Sequence, residues 1–338
     1  MHYNAHIYKD KRTRLEEVIP LDTPFTLLVE TSRLCNFRCA FCPQRDEKKF
    51  SRFEKNLLSE DDFELILRQM EDFPRRVKKV YMHGTGEALM NPKLPDMIRR
   101  LNERGVTESI DLTSNAALLT ESLGLQLVEA GLNHLHISVE ALSDDEYASI
   151  AGRKINFERF VDNVQFFSEH RESCRLTIKI ASTSVSNESD KERFFSIFAP
   201  LCDEIFIENI HPIWPKFDLP DAMCAGENAA GQYGQSIKEK RVCPQIFTVL
   251  AIKCDGSVSP CSVDWDNDRA LGNIHDETLF RMWNGQALRE LRLGHLENGR
   301  KKFAGCSSCG LPKYSCTDDL EPYADELAKK IREEQIDE

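Results

Sequence analysis

The sequence predicts an α/β protein: a parallel sheet of six strands alternating with helices, then a small cysteine-rich module and an acidic C-terminal helix. Three observations carry this. Six apolar runs alternate with amphipathic runs between residues 26 and 209. Near residue 212 the alternation stops and the chain becomes rich in Pro, Gly and Ala. Nine of the twelve cysteines fall in two groups, one after the first strand and one from residue 243 onward.

Residues 26–31, Thr-Leu-Leu-Val-Glu-Thr, read as a buried strand. Ser59 with Asp62 resembles a capping box, and Phe63, Ile66, Leu67 and Met70 mark one apolar helix face behind it. Strand 78–83, helix 94–104 and strand 108–113 follow, then a helix over 120–130 opened by Thr120 and closed by Gly131. Strand 133–139 leads into a helical region 143–169, started by Ser143 with Glu146 and continued by Phe157, Phe160, Val161 and Val164. Strand 175–182, a helix opened by Ser189 with Glu192, and strand 203–209 complete the repeat. The expected division is an N-terminal extension (1–24), the repeat region (25–212), a linker or loop over the sheet (213–242), the module (243–318) and the acidic helix (319–338).

With 338 residues the chain is long enough for one large domain and a small one, and 41% hydrophobic with 30% charged residues is ordinary for a globular protein. No apolar run is long enough to cross a membrane, and the first residues lack the apolar stretch of a secretory signal, so a cytoplasmic location is expected. Net charge is −12, and residues 317–338, with nine acidic and three basic side chains, contribute half of it. That segment places Leu320, Tyr323, Leu327 and Ile331 on one helical face. An acidic chain without a basic stripe is a poor match for nucleic acid.

Reduced compartments disfavour disulfides, so clustered cysteines there point to metal or redox chemistry. Cys174, Cys202 and Cys224 stand alone and read as small buried side chains. Cys35, Cys39 and Cys42 have the spacing C-x3-C-x2-C. Three thiolates on one loop can hold three irons of a 4Fe–4S cluster and leave the fourth free for another ligand. Zinc with a fourth ligand from elsewhere and three packed thiols are the competing readings. In a parallel sheet, chemistry gathers at the carboxyl ends of the strands. The cysteines follow strand one, "HGTGEALMNP" follows strand two, "TSNAALL" ends strand three and "SVEAL" ends strand four, so all four stretches share one rim.

On these residues the chain resembles the radical S-adenosylmethionine (SAM) enzymes, whose signature is this cysteine triplet after the first strand of a partial (β/α)6 barrel. Phe41 fills the aromatic position before the last cysteine. The resemblance implies that Cys35, Cys39 and Cys42 bind the cluster and that SAM chelates the open iron. Reductive cleavage of SAM then gives a 5′-deoxyadenosyl radical that abstracts hydrogen from a substrate C–H bond. It further implies a low-potential electron donor such as flavodoxin or ferredoxin. The element Gly84-Thr85-Gly86-Glu87 matches the family's glycine-rich contact to the methionyl amine, with Ala88 where proline is common. Glycines permit close backbone approach, and a carboxylate accepts hydrogen bonds from an ammonium. Asn115 resembles the strand-three asparagine, although Ala116 stands where glycine is usual. Ser138 and Arg153 correspond to residues directed at the SAM ribose or carboxylate.

The second group is Cys243, Cys254, Cys261, Cys306, Cys309 and Cys316. "CPQIFTVLAIKCDGSVSPC", with a hairpin turn at Asp255-Gly256, and the later Cys306-x2-Cys309 resemble the SPASM/twitch extensions of radical SAM enzymes. A full SPASM module needs more cysteines, so the resemblance implies a twitch-like module with one auxiliary 4Fe–4S cluster on Cys243, Cys261, Cys306 and Cys309. Structural zinc on the same four thiolates is the alternative. Cys254 and Cys316 have no assigned role.

Twitch relatives include a dehydrogenase that oxidises an alcohol of an aminocyclitol. The expected reaction is therefore oxidation of a hydroxyl in a small polyol, sugar or aminosugar, with the auxiliary cluster as electron acceptor. Modification of a ribosomally made peptide is the alternative. About two dozen residues precede strand one, too few for the peptide-binding domain many such enzymes carry. Epimerisation with Cys224 as hydrogen donor and a non-catalytic iron–sulfur or zinc protein are further readings. Glu140, Glu208, His211, Trp214, Asp264 and Asp266 are candidates for binding hydroxyls or amines.

Overall fold

The computed structural model describes residues 12–46, 48, 56–226 and 229–333. Residues 1–11 of the N-terminal extension and 334–338 of the acidic tail lie outside these. Six parallel strands form as the alternation predicts: β1 (Thr26–Val29), β2 (Lys79–Met82), β3 (Ile110–Ser114), β4 (His134–Val139), β5 (Arg175–Ala181) and β6 (Glu204–Glu208). They lie in sequence order, and β6 ends the sheet without pairing back to β1, so the barrel is open.

Local chemistry sets the helix ends. Ser59, Thr120 and Ser143 accept backbone hydrogen bonds from Asp62, Leu123 and Glu146, the N-caps expected of them. The helix after β5 differs. Its cap is Asn187, which accepts from the Asp190 N–H, so Ser189 falls inside the first turn of Glu188–Phe198. Asparagine is as good a cap as serine, and here it comes first in the chain.

Side chains alternate across a strand. Leu27, Val29, Val80, Met82, Leu112, Ile137, Ile178 and Ile205 turn outward into one core with Phe63, Met97, Leu127, Val164 and Phe194 of the surrounding helices. The alternate set faces inward and is largely polar: Tyr81, Thr113, His136, Ser138 and Lys179 are part-exposed within it, with Leu28 and Phe206 in register beside them. Parallel strands buried on both faces are usually apolar throughout. The polar groups here mark a lumen.

The module does not stand apart. Strands β7 (Val249–Ile252), β8 (Ser257–Ser259) and β9 (Gly272–Asn273) extend the sheet to nine strands, in the order β6-β5-β4-β3-β2-β1-β7-β8-β9. β7 pairs in parallel with β1, and β8 returns antiparallel around Gly256, whose φ of +80° suits glycine. Gln69 of the Glu60–Met70 helix donates to the Ile274 carbonyl at 2.8 Å and accepts from Leu279 N–H at 3.0 Å, which locks barrel and module together. The C-terminal helix, Ala324–Glu333, buries Leu327 and Ile331 as its spacing predicts, with Leu320 buried just before it.

Candidate active site

The three cysteines lie on the loop between β1 and the Glu60–Met70 helix. That loop is pinned from two sides. Arg38 and Ala40 N–H groups donate to Ala151 and Ile150 carbonyls at 2.8 and 3.0 Å, and Glu87 N–H donates to Leu34 O at 2.7 Å. Phe37, Tyr147 and Ala151 pack around Cys39, with Cys35, Phe41 and Cys42 against them. The thiols are close enough that each thiolate disfavours the next. Burial is the larger effect, pushing Cys35 up to about 11 and Cys42 to about 12. Thiolates so buried form only with a cation among them, which is what an iron cluster provides.

The glycine-rich loop sits directly against this one. A Cβ on Gly86 would strike the Leu34 and Ser32 carbonyl oxygens, and one on Gly84 would strike the Glu30 side chain. Glu87 is buried beneath this loop. Its carboxylate is 3% exposed and accepts from Leu89 N, Ser114 Oγ and Asn115 N at 2.7–2.9 Å. The side chain is turned into the protein and ties the loop after β2 to the end of β3. Asn115 exchanges side-chain hydrogen bonds with Asn36 beside Cys35, at 2.8 and 3.4 Å. Ser138 faces the lumen from β4. Arg153 stands exposed on the loop next to Ala151.

In the module, Cys243, Cys261, Cys306 and Cys309 line one cavity, with Ile246, Leu291, Arg269 and Arg300. Arg300 Nη1 donates to the Cys306 and Cys309 carbonyls at 2.6 and 2.8 Å, holding the C-x2-C turn. Burial pushes Cys243 and Cys261 well up, and Cys309 to about 11. Cys316 packs beside Cys261 and Cys309 against Val263 and Leu311. Cys254 lies elsewhere: fully buried, it donates to Glu30 O at 3.2 Å where β7 meets β1.

The substrate candidates separate into two sets. Glu140 and Glu208 face the lumen. Burial raises Glu140 to about 7. Glu208 is held by Lys179 Nζ at 2.5 Å and Gln232 Nε2 at 2.6 Å. Asp264 instead braces its own loop, accepting from Ser259 Oγ, Asp268 N and Arg269 N. Asp266 pairs with Lys216, His211 stacks on Tyr314 with centroids 4.4 Å apart, and Trp214 packs against the Cys316 cluster.

Sequence reasoning passed over Tyr81, His83, His136, Lys179 and Lys253, all on the inward face. Their signal was the period-two alternation in Tyr-Met-His (81–83) and His-Leu-His-Ile-Ser-Val-Glu (134–140). At the amino end of the barrel Asp111, His134 and His136 lie at metal-ligand spacing. Lys79 Nζ already sits 2.6 Å from Asp111 Oδ2, and His136 Nε2 lies 3.3 Å from it. A cation entering there would meet an ammonium, so the group serves as a closed floor. Burial raises the Asp111 carboxyl, but His136 and Lys79 overcome that and hold it well below the usual range.

Two family models match the chain, the radical SAM superfamily over residues 29–193 and the SPASM iron–sulfur cluster-binding domain over residues 243–310. The chain belongs to the radical SAM superfamily. Its cofactors are accordingly SAM and 4Fe–4S clusters, and the two thiol groups fit them in donor type and burial. The tungsten-containing aldehyde ferredoxin oxidoreductase cofactor-modifying protein of Pyrococcus furiosus is 22% identical over 321 residues, 84% of this chain and 87% of its own. A GTP 3′,8-cyclase of Staphylococcus aureus is 33% identical over 149 residues, and the chain spans only 42% of that relative. Among solved radical SAM folds, BtrN in complex with AdoMet and 2-DOIA matches with TM-score 0.56 and 17% identity, covering 88% of this chain and 96% of that one. Streptococcus suis SuiB bound to precursor peptide SuiA matches with TM-score 0.62 and 18% identity, covering 96% and 77%.

Proposed function

We propose that this radical SAM enzyme oxidises a hydroxyl of a small polar molecule of the polyol, sugar or aminosugar class, in the lumen between two cluster sites. In this reading Cys35, Cys39 and Cys42 hold the SAM-binding cluster. Phe41, Gly84, Gly86, Glu87, Asn115, Ser138 and Arg153 surround SAM, and Cys243, Cys261, Cys306 and Cys309 hold one auxiliary cluster. When bound, SAM and the first cluster supply the 5′-deoxyadenosyl radical that takes hydrogen from a substrate C–H bond. The chain's own part is to position, to shield and to accept what remains.

The observation that carries the reading is the convergence of four cysteines on one cavity, held by a strand that pairs with β1. Loss of a hydrogen atom from a carbinol carbon leaves one proton and one electron to remove. An acceptor rigidly joined to the barrel suits the electron, and the lumen carboxylates Glu140 and Glu208 suit the proton. Ser138, Lys179 and Gln232 add hydroxyl and amine partners. No helix among the described residues is long and apolar enough to cross a membrane. A cytoplasmic enzyme served by a flavodoxin- or ferredoxin-type donor accords with that.

Anaerobic reconstitution tests the proposal. Two 4Fe–4S clusters predict about eight irons per chain and dithionite-dependent release of 5′-deoxyadenosine. Cys39→Ala abolishes release, whereas Cys306→Ala keeps uncoupled release, falls to about four irons and forms no oxidised product. Deuterium moving into 5′-deoxyadenosine from a labelled polyol or aminosugar identifies the class, and transfer only from a peptide overturns it. Normal turnover by Cys306→Ala removes the auxiliary cluster from the reaction.

A further inference from the structure

One buried charge at the lumen wall lacks hydrogen-bond acceptors. Lys253 follows β7 with the same parity as Ala251, which places it on the inward face, level with Glu30 of β1. It is 2% exposed, and among the described residues its Nζ donates no hydrogen bond. Glu30 attracts it through space, yet both Glu30 oxygens are taken. Oε1 accepts from Thr85 N and Oγ1 at 2.9 and 2.6 Å, and Oε2 accepts from Arg33 Nε and Nη2 at 3.1 and 3.0 Å and from Cys254 N at 3.4 Å. Asp255 is likewise engaged, by Arg33 and by the backbone and hydroxyl of Ser257. An ammonium carries three donors, and leaving them unmet inside a protein is costly.

Two lysines, Lys253 and Lys179, bear on one lumen histidine. His83, just past β2, is influenced by both Lys253 and Lys179, and burial together with these ammoniums holds its imidazole neutral, at about 4. A neutral imidazole still offers one N–H. His83 is part-exposed, so the lumen reaches this point. Lys179 is neutralised by Glu208, which leaves Lys253 as the charge in want of an acceptor.

We propose that Lys253, with His83 beside it, seats an oxyanion of the substrate, a carboxylate or a phosphate ester, next to the Gly84–Glu87 loop. An anionic oxygen at an ammonium gives charge-assisted hydrogen bonds, about twice as strong as neutral ones. The inference rests on the reading of the lumen as the substrate's seat. It narrows the substrate from a neutral polyol to a hydroxy acid, sugar acid or sugar phosphate. Lys253 is then a positioning and specificity residue.

The cluster-loaded, SAM-bound protein, titrated anaerobically by calorimetry with glycolate and separately with inorganic phosphate, reads the site without turnover. One equivalent of one anion binds, at least tenfold more weakly in Lys253→Met and unchanged in the exposed Lys93→Met. Preference for glycolate assigns a carboxylate and preference for phosphate a phosphate ester. No saturable binding of either anion, or equal binding in Lys253→Met, overturns the proposal. So does an equal loss of SAM affinity in Lys253→Met, which would mean that the amine holds the carboxylate of SAM. Should Lys253→Met not fold, selenate soaked into wild-type crystals is expected to give an anomalous peak at hydrogen-bond distance from Lys253 Nζ, and no peak there overturns the site. Release of 5′-deoxyadenosine, measured on the same sample, reports the radical reading separately: its loss with anion binding intact removes that reading and leaves this one.

Discussion

Glu87 shows how one side chain can fix the shape of a loop. Its carboxylate accepts from Leu89, Ser114 and Asn115, and the result is a backbone turn held against the cysteine loop. Gly86 makes that contact sterically possible, since any side chain there meets the Leu34 and Ser32 carbonyls. Gly86→Ala should therefore push the backbone of residues 32–34 aside and lower SAM cleavage by more than about tenfold, because a one-ångström misplacement near reacting groups is that costly. Wild-type cleavage in the variant would show that the loop does not set the SAM position. Arg33 and Glu30 form a buried pair, 5% and 0% exposed, 3.0 Å apart. Removing one partner strands the other, so Arg33→Met should destabilise by about 3–5 kcal/mol. Thermal melting of the cluster-loaded protein checks this, and an unshifted melt would mean that Lys253 alone sustains the Glu30 charge.

Strands and loops decide which cysteines act together. Cys243 precedes β7, Cys261 follows β8, and the antiparallel hairpin between them closes so that both reach the cavity met by Cys306 and Cys309. Cys254 sits in the hairpin loop yet points the other way, toward the Glu30 carbonyl on β1. Cys254→Ser should keep about eight irons per chain, since its thiol lies outside both groups. Cys316 is packed among Val263 and Leu311, next to the cavity. Cys316→Ser should also keep both clusters, and a fall to about four irons would make it a ligand in place of one of the four. The segment beyond β6 is stitched down as well. Gln232 bonds Glu208 and Ser315, and its N–H reaches the Tyr314 carbonyl at 2.7 Å, so one residue ties the lumen, the crossing loop and the module.

At the scale of the molecule, the polar interior makes acid the weak point. His134 in the floor and His295 behind the auxiliary cavity are 5% and 0% exposed. Burial lowers both, to about 3 and about 4, from an ordinary 6.5. The folded state thus keeps these rings neutral where the unfolded chain protonates them. Their contribution is complete above about pH 6.5 and is lost as pH falls toward the folded values, by up to about 1.4 kcal/mol per pH unit for each ring. His134→Gln keeps a hydrogen-bonding side chain in the floor and removes the titration. It should move the midpoint of acid-induced loss of circular dichroism to lower pH, and an unmoved midpoint would place the acid sensitivity elsewhere.

The sequence by itself determined the strand–helix repeat, most of the helix caps, the first cysteine triplet and the pairing of the later cysteines into one group. Each is a local signal, in which spacing, side-chain type and periodicity lie within a few residues of one another. It also placed the four rim stretches together, because a parallel sheet puts every strand's carboxyl end on one side. Only the tertiary structure decided that β7 pairs with β1, that Glu87 turns inward, and that Asp264 braces a loop while Glu208 lines the lumen. Those outcomes depend on partners far apart in sequence, such as Glu30 with Cys254 and Gln69 with Leu279. Lys253 is the plainest case. Along the chain it is one lysine before a turn, and it becomes a buried charge without an acceptor only when two distant strands are laid side by side.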